Sequence, residues 1–219
     1  MKFQRKPLRD DIQKEILGRI VDGSLPAGRR INETHLAEDL GLSRTPLREA
    51  MLTLSAAGFL NSDMGKGFAV PELDPAELAQ IQEMLALLQP LALSQTVPLP
   101  SAQIMEIANH LSRARMRLEP KADDKAVGLA LAGLVFNWNE ILLRNCANPV
   151  LLADINRLEG LAARYWFAAG MRGLDTDEMC QSFNGIYELL RQDQGDQACQ
   201  VWSSHIEKFG KMAVQRLHS

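Results

Sequence analysis

Two arginines one helical turn apart, Arg44 and Arg48, with Thr45 beside the first, are the side chains in this sequence best suited to nucleic acid. A guanidinium is planar, permanently charged and forked, so it can pair with guanine O6 and N7 together or grip a phosphate. A second set is Gly65-Lys66-Gly67, where glycines permit close backbone approach to a groove and the ammonium supplies charge. The same tripeptide is also a common surface turn. Further along, His205 stands on an apolar-faced helical pattern, where a histidine is more often a hydrogen-bonded core residue than a ligand. Trp138, Tyr165, Trp166, Phe167 and Trp202 either line a pocket or pack a core at helical spacing. The sequence contains no Gly-x-Ser-x-Gly elbow, phosphate loop or His-Glu-x-x-His pair, so nothing in it indicates an enzyme.

The arginines are positioned by the stretch Asn32 to Met51, which reads as two short helices joined by Gly41-Leu42-Ser43. Leu36 and Leu40 form one apolar stripe and Leu47, Ala50, Met51 and Leu54 another, while Gly41 allows a positive φ between them. This is helix-turn-helix spacing. Ser43 is expected to cap the second helix, and Pro46 falls in its first turn, where no intrahelical acceptor is lost. Arg44, Thr45 and Arg48 are then left outside at the helix start, the end that meets base edges and phosphates in this motif.

Upstream, Lys2, Arg5, Lys6 and Arg9 form a basic arm that is either a solvated tail or a phosphate contact. Ile12, Ile16, Leu17, Ile20 and Val21 share one face of a helix stopped by Gly23, and Ser24 to Gly28 is a turn. Downstream, Gly58 to Leu60 closes the second helix of the pair, and Asn61 to Val70 reads as a hairpin wing with Met64 to Gly67 at its tip. Beyond Pro71 only helical patterns appear. The first opens at Asp74-Pro75 and carries Leu78, Ile81, Leu85 and Leu88; others follow at 101–118, 123–146, 148–170, 176–193 and 196–217. Arg113, Arg115 and Arg117 read as a solvated face.

A chain of 219 residues with 46% hydrophobic content can bury a real core. Its net charge of −3 hides an asymmetry: residues 1–70 carry 11 basic and 9 acidic side chains, the remainder 13 and 18. A mildly basic head on an acidic body suits a regulator that touches DNA with one end. Cys146, Cys180 and Cys199 are odd in number and widely spaced, which argues against a disulfide framework or zinc cluster. No apolar run approaches the ~20 residues that span a bilayer, and the N-terminus lacks a signal-peptide core, so a cytoplasmic protein without membrane contact is expected.

Ile20-Val-Asp-Gly-Ser-Leu-Pro-Ala-Gly28, the run Leu36 to Ala50, Leu54-x-x-x-Gly58 and the Gly65-Lys-Gly67 wing together resemble the GntR family of bacterial winged-helix regulators. The helical remainder resembles the FadR branch, with an FCD-type effector domain, through Gln82 to Ala92, Phe136 to Leu143 with Asn145 to Leu151, and Ile186 to Ile206. The resemblance implies that Arg44 and Arg48 contact bases and phosphates. It also implies that Thr34 and Thr45 hold the backbone, with Ser43 alongside, and that Gly65, Lys66 and Gly67 reach the minor groove. Domains of that branch often carry a metal, held in metal-binding members by one aspartate and three histidines. Those positions fall on Gly133, Asn137, Phe183 and His205, a set too poor in charge and nitrogen for a divalent metal. The arginine and glutamate usual on the domain's first helix fall on Leu85 and Gln89. An effector site at Leu85, Asn137, Phe183 and His205, with no metal or other cofactor, is therefore expected.

The fold expected is mostly α: a winged helix-turn-helix domain over 1–72 and an all-α bundle of six to seven helices over 73–219. The function expected is a homodimeric transcription regulator on a pseudo-palindromic double-stranded operator, responding to a small-molecule effector. Two rivals are a helical domain that only dimerises and a helical enzyme tethered to DNA, the latter needing converging titratable residues that the sequence does not display.

Overall fold

A computed structural model describes residues 9–63, 66–117, 134–135, 137–169 and 176–218. Lys2, Arg5, Lys6, Gly65 and Gly133 lie outside that set, as does half of the helix expected at 123–146. Contacts divide the chain into two compact units, Met1–Asp74 and Pro75–Ser219.

In the first unit, α1 (Arg9–Val21) buries Ile12, Ile16 and Ile20 one turn apart, and the chain leaves it through Gly23 at φ 75°. Leu17 and Val21 are only half-buried. Helix α2 (Glu33–Leu40) starts at Asn32, whose side-chain oxygen accepts from the His35 amide at 3.1 Å and satisfies one of the orphan donors of the first turn. It ends on Gly41 at φ 68°, and the Leu42 amide reaches back to the Ala37 carbonyl at 2.9 Å, closing the left-handed turn that sets α3 across α2. Helix α3 (Arg44–Ala56) buries Leu47, Ala50, Met51 and Leu54. Ser43 occupies its N-cap position with extended backbone, but its side chain makes no capping bond. The cap expected of it is thus positional only, and the side-chain cap of this helix pair is Asn32. Strands β1 (Asn61–Asp63) and β2 (Gly67–Ala69) pair antiparallel, Ser62 opposite Phe68, with Arg30 bridging to Ala69 at the outer edge. Phe68 is the wing residue turned into the core, 1% exposed.

All regular secondary structure among the described residues of the second unit is helical: α4 (Pro75–Ser94), α5 (Ser101–Arg117), α6 (helical at 137–143), α7 (Pro149–Ala169), α8 (Thr176–Arg191) and α9 (Gly195–Leu217). Pro90 lies inside α4 and has no N–H to offer the Ala86 carbonyl one turn back. Ser203 on α9 donates to that carbonyl at 2.8 Å, so the break in the ladder becomes a tie between the two helices. Lower down the same seam, Gly210 has no side chain because a Cβ there would lie 2.7 Å from Gln82 Cγ. The Asn148-Pro149 step opens α7 in the usual way, the Asn148 side chain accepting from the Leu151 amide at 3.0 Å. Gln103 on α5, itself buried, reaches across to the Ile141 carbonyl at 2.6 Å and takes a bond from Asn145 at 2.8 Å, fixing α5 to α6 and to the turn that follows it.

Candidate functional site

In the head, Arg44, Thr45 and Thr34 are exposed, the first two at the start of α3 and the third in the first turn of α2. Arg48 also faces out but is not free. Its Nη1 lies 3.2 and 3.1 Å from the two carboxylate oxygens of Glu33, and its guanidinium carbon stands 5.7 Å from the Phe68 ring centroid. Glu33 is itself largely buried, with 12% of its side chain exposed. It sits below the wing, where a Cβ on Gly67, at φ 79°, would come 3.2 Å from Glu33 Oε1. One carboxylate therefore links α2, α3 and the wing. Lys66 is exposed, and its carbonyl accepts from Arg30 Nη1 at 2.7 Å, which ties the turn to the strand-like edge at Arg30. Arg9, the described member of the basic arm, turns to α3 instead of outward, donating to Thr53 and to the Glu49 carbonyl. Glu33, Phe68 and Arg30 carry no sequence signal of their own; 15 residues separate Glu33 from Arg48.

In the helical unit, Leu85, Phe183 and His205 are buried at 4%, 1% and 8% exposure. The Phe183 ring centroid lies 4.4 Å from that of His205, tilted to it, and 4.8 Å from that of Trp138, edge to face, and His205 lies 4.6 Å from Phe209. The imidazole Nδ1 is 2.7 Å from Ser182 Oγ. Burial first, then the charge of Lys208, hold the imidazole down at about 4, so it is neutral in the folded protein. Trp138, Tyr165 and Trp202 are core residues, fully or almost fully enclosed, and the Trp138 indole N–H has no hydrogen-bond partner among the described residues.

Asn137 does not join Phe183 and His205. It is exposed and lines an open cleft between α5 and α6 with Met105, His110, Arg113 and Glu140, because the helical phase that buries Trp138 and Asn139 turns Asn137 outward. The inward amide on α6 is Asn139, 6% exposed. Its Nδ2 donates to Glu159 Oε1 on α7 at 2.6 Å, and Gln89 Nε2 on α4 donates to the same oxygen at 2.6 Å. Burial pushes the Glu159 carboxyl up to about 7 against the lowering effect of the two amides. A second buried charge, Arg164 on α7, is bound through Nη2 to Glu77 in the first turn of α4 at 2.5 Å and stacks on Tyr165 at 4.9 Å. His205 stands between two phenylalanine rings, and among the described residues no group of three or more His, Cys, Asp or Glu could hold a metal ion.

With this geometry in place, comparison with known proteins is direct. Residues 8–70 match the model of bacterial regulatory proteins of the gntR family, and residues 73–208 match the FCD domain. The HTH-type transcriptional regulator YdhC of Bacillus subtilis is 37% identical over 78 residues, covering 36% of this chain and 35% of that protein. McbR of Escherichia coli, also an HTH-type transcriptional regulator, is 29% identical over 118 residues, covering 52% of this chain and 53% of its own length. The matched stretches thus span between about a third and about half of these two curated relatives. The solved structure of E. coli McbR/YncC superposes with a TM-score of 0.82 at 18% identity, over 97% of this chain and 100% of that one, which establishes the shared fold. No helix of the described residues is long and apolar enough to cross a membrane. The chain belongs to the GntR family of bacterial regulators and carries an FCD domain behind its winged helix-turn-helix head.

Proposed function

We propose that this protein is a homodimeric transcription regulator of the cytoplasm. It binds a pseudo-palindromic double-stranded operator through Arg44, Thr45 and Arg48, and changes its DNA affinity when the helical domain takes up a small molecule, without a bound metal. The observation that carries the DNA reading is the outward group at the start of α3, held on a packed helix pair beside a wing whose Lys66 is exposed. One head recognises few base pairs, so discrimination against a genome calls for two heads on related half-sites. The observation that supports metal-free sensing is an interior in which Phe183 packs on the ring of His205, the histidine remaining from the family's ligand set.

The deciding experiment starts from a duplex selected in vitro from random sequence by the full chain. A metabolite panel is then screened by thermal shift, and each hit is returned to the DNA-binding assay. Selection of one sequence and a hit that changes its affinity are the expected results. Failure to enrich any sequence removes the DNA reading. Enrichment with no metabolite changing the affinity leaves the helical domain a dimerisation module.

A further inference from the structure

The Gln89–Glu159–Asn139 cluster is a buried polar group that neither the DNA reading nor the hydrophobic core accounts for. Glu159 on α7 receives two amide donors, one from α4 and one from α6, and both go to Oε1. The amides are enclosed at 3% and 6% exposure, and Glu159 itself is half-buried, with both amide bonds on Oε1 and neither on Oε2. Two neutral donors on a single oxygen orient a carboxylate but bring no opposite charge, and a carboxylate taken out of water without a cation is costly. Among the described residues, burial and these two amides act on its ionisation, and no lysine or arginine does.

We propose that this cluster anchors a cationic effector, an organic amine whose ammonium donates to Oε2 of Glu159 between α4, α6 and α7. The proposal rests on the reading of the helical domain as a sensor and specifies the chemistry that it senses. An anion is repelled by Glu159. A hard divalent metal needs six or more oxygen ligands, and one carboxyl whose companion amides present their N–H ends does not provide them. An ammonium needs only a carboxylate and a few acceptors, and pairing with it removes the penalty that burial places on Glu159. Since Asn139 and Gln89 reach Glu159 from two other helices, engagement of the carboxyl bears on the packing of α4, the helix that begins at Pro75 directly after the head.

The test uses the full chain with two probes, propylammonium and 1,4-diammoniobutane, and two controls of similar size, butyrate and 1-propanol, read by calorimetry and thermal shift. At least one amine is expected to bind and raise the melting temperature, with neither control doing so. Glu159→Gln, which keeps the shape and removes the charge, is expected to weaken the amine tenfold or more, while Glu140→Gln at the exposed α5–α6 cleft leaves it unchanged. If Glu159→Gln does not fold by circular dichroism, Glu159→Asp, which withdraws the carboxylate by one methylene, serves instead and is expected to weaken binding. Amine binding that survives these changes, or no binding of either amine to the folded wild-type chain, overturns the proposal. Run on DNA affinity, the same panel separates the two readings. A response to butyrate or another anion without any to amines keeps the sensor and discards this site. Amine binding through Glu159 that leaves DNA affinity unchanged keeps the site and discards its regulatory role.

Discussion

Replacing Arg48 with Ala is expected to remove two things at once, and the structure sizes each. Within the free protein, Arg48 Nη1 bonds both oxygens of Glu33 at 3.2 and 3.1 Å, and the guanidinium stands 5.7 Å from the Phe68 ring. With 54% of its side chain exposed, that ion pair is worth only about 0.2–1 kcal/mol after solvent screening. The cation–π contact adds about 0.5–1 kcal/mol. Arg48→Ala should therefore destabilise the head by roughly 1 kcal/mol. On DNA it should cost a further ~1–3 kcal/mol of specific binding, or roughly 5- to 150-fold. Arg44→Ala, at an exposed position, should lose only the second quantity. Glu33→Gln then tests whether the carboxylate orients Arg48. It removes one negative charge beside the arginines of α3, so affinity for a scrambled duplex should rise while discrimination for the selected one falls. Fluorescence anisotropy on both duplexes at one fixed salt concentration, alongside thermal melts of each variant, measures all four quantities. Selected-duplex affinity unchanged in Arg48→Ala, or a discrimination ratio unchanged in Glu33→Gln, refutes the reasoning.

Light scattering at the concentrations of DNA binding should give a dimer; a monomer that still binds the selected duplex would contradict the two-head argument. Gly210→Ala should lower stability by about 1–3 kcal/mol despite its gain in helix propensity, because the new methyl meets the Gln82 stem at 2.7–2.8 Å, and a melt unchanged or raised would show that α4 and α9 yield there. The two perturbed interior groups predict opposite pH slopes. His205, ordinarily near 6.5 and held at about 4 when folded, takes up protons more readily in the unfolded chain, so its contribution is present above 6.5 and lost as pH falls towards 4. Glu159, raised from 4.5 to about 7, binds its proton more tightly when folded, so its contribution is present below 4.5 and lost as pH rises towards 7. Denaturant titrations across pH 4–7 should accordingly show Glu159→Gln gaining on wild type towards neutrality and His205→Gln gaining towards acid, by at most about 3 kcal/mol each; parallel curves would remove the assignment. Elemental analysis of protein purified without chelators should find no stoichiometric zinc, nickel or manganese, and metal lost on His205→Ala would show that a site survives.

The local periodicities of the chain determined a great deal. Leu47, Ala50, Met51 and Leu54 repeat at the spacing of one helix face, and Gly41 is the residue type that a left-handed turn favours, so the helix pair and its outward arginines follow from a dozen neighbouring residues. The helical character of the second unit was legible for the same reason: each apolar stripe is written within its own segment. What the sequence left open depends on partners far along the chain. Glu33 meets Arg48 from the start of another helix, and Glu159 meets Gln89 across 70 residues, pairings that no local pattern encodes. Pro90 within α4 is tolerated because Ser203, 113 positions onward in sequence number, supplies the donor that its own ring cannot. Helical phase shows the same division most sharply. Asn137 and Asn139 differ by two positions and so by about 200° around α6, and only the packing of Trp138 against Phe183 decided which amide faces the interior.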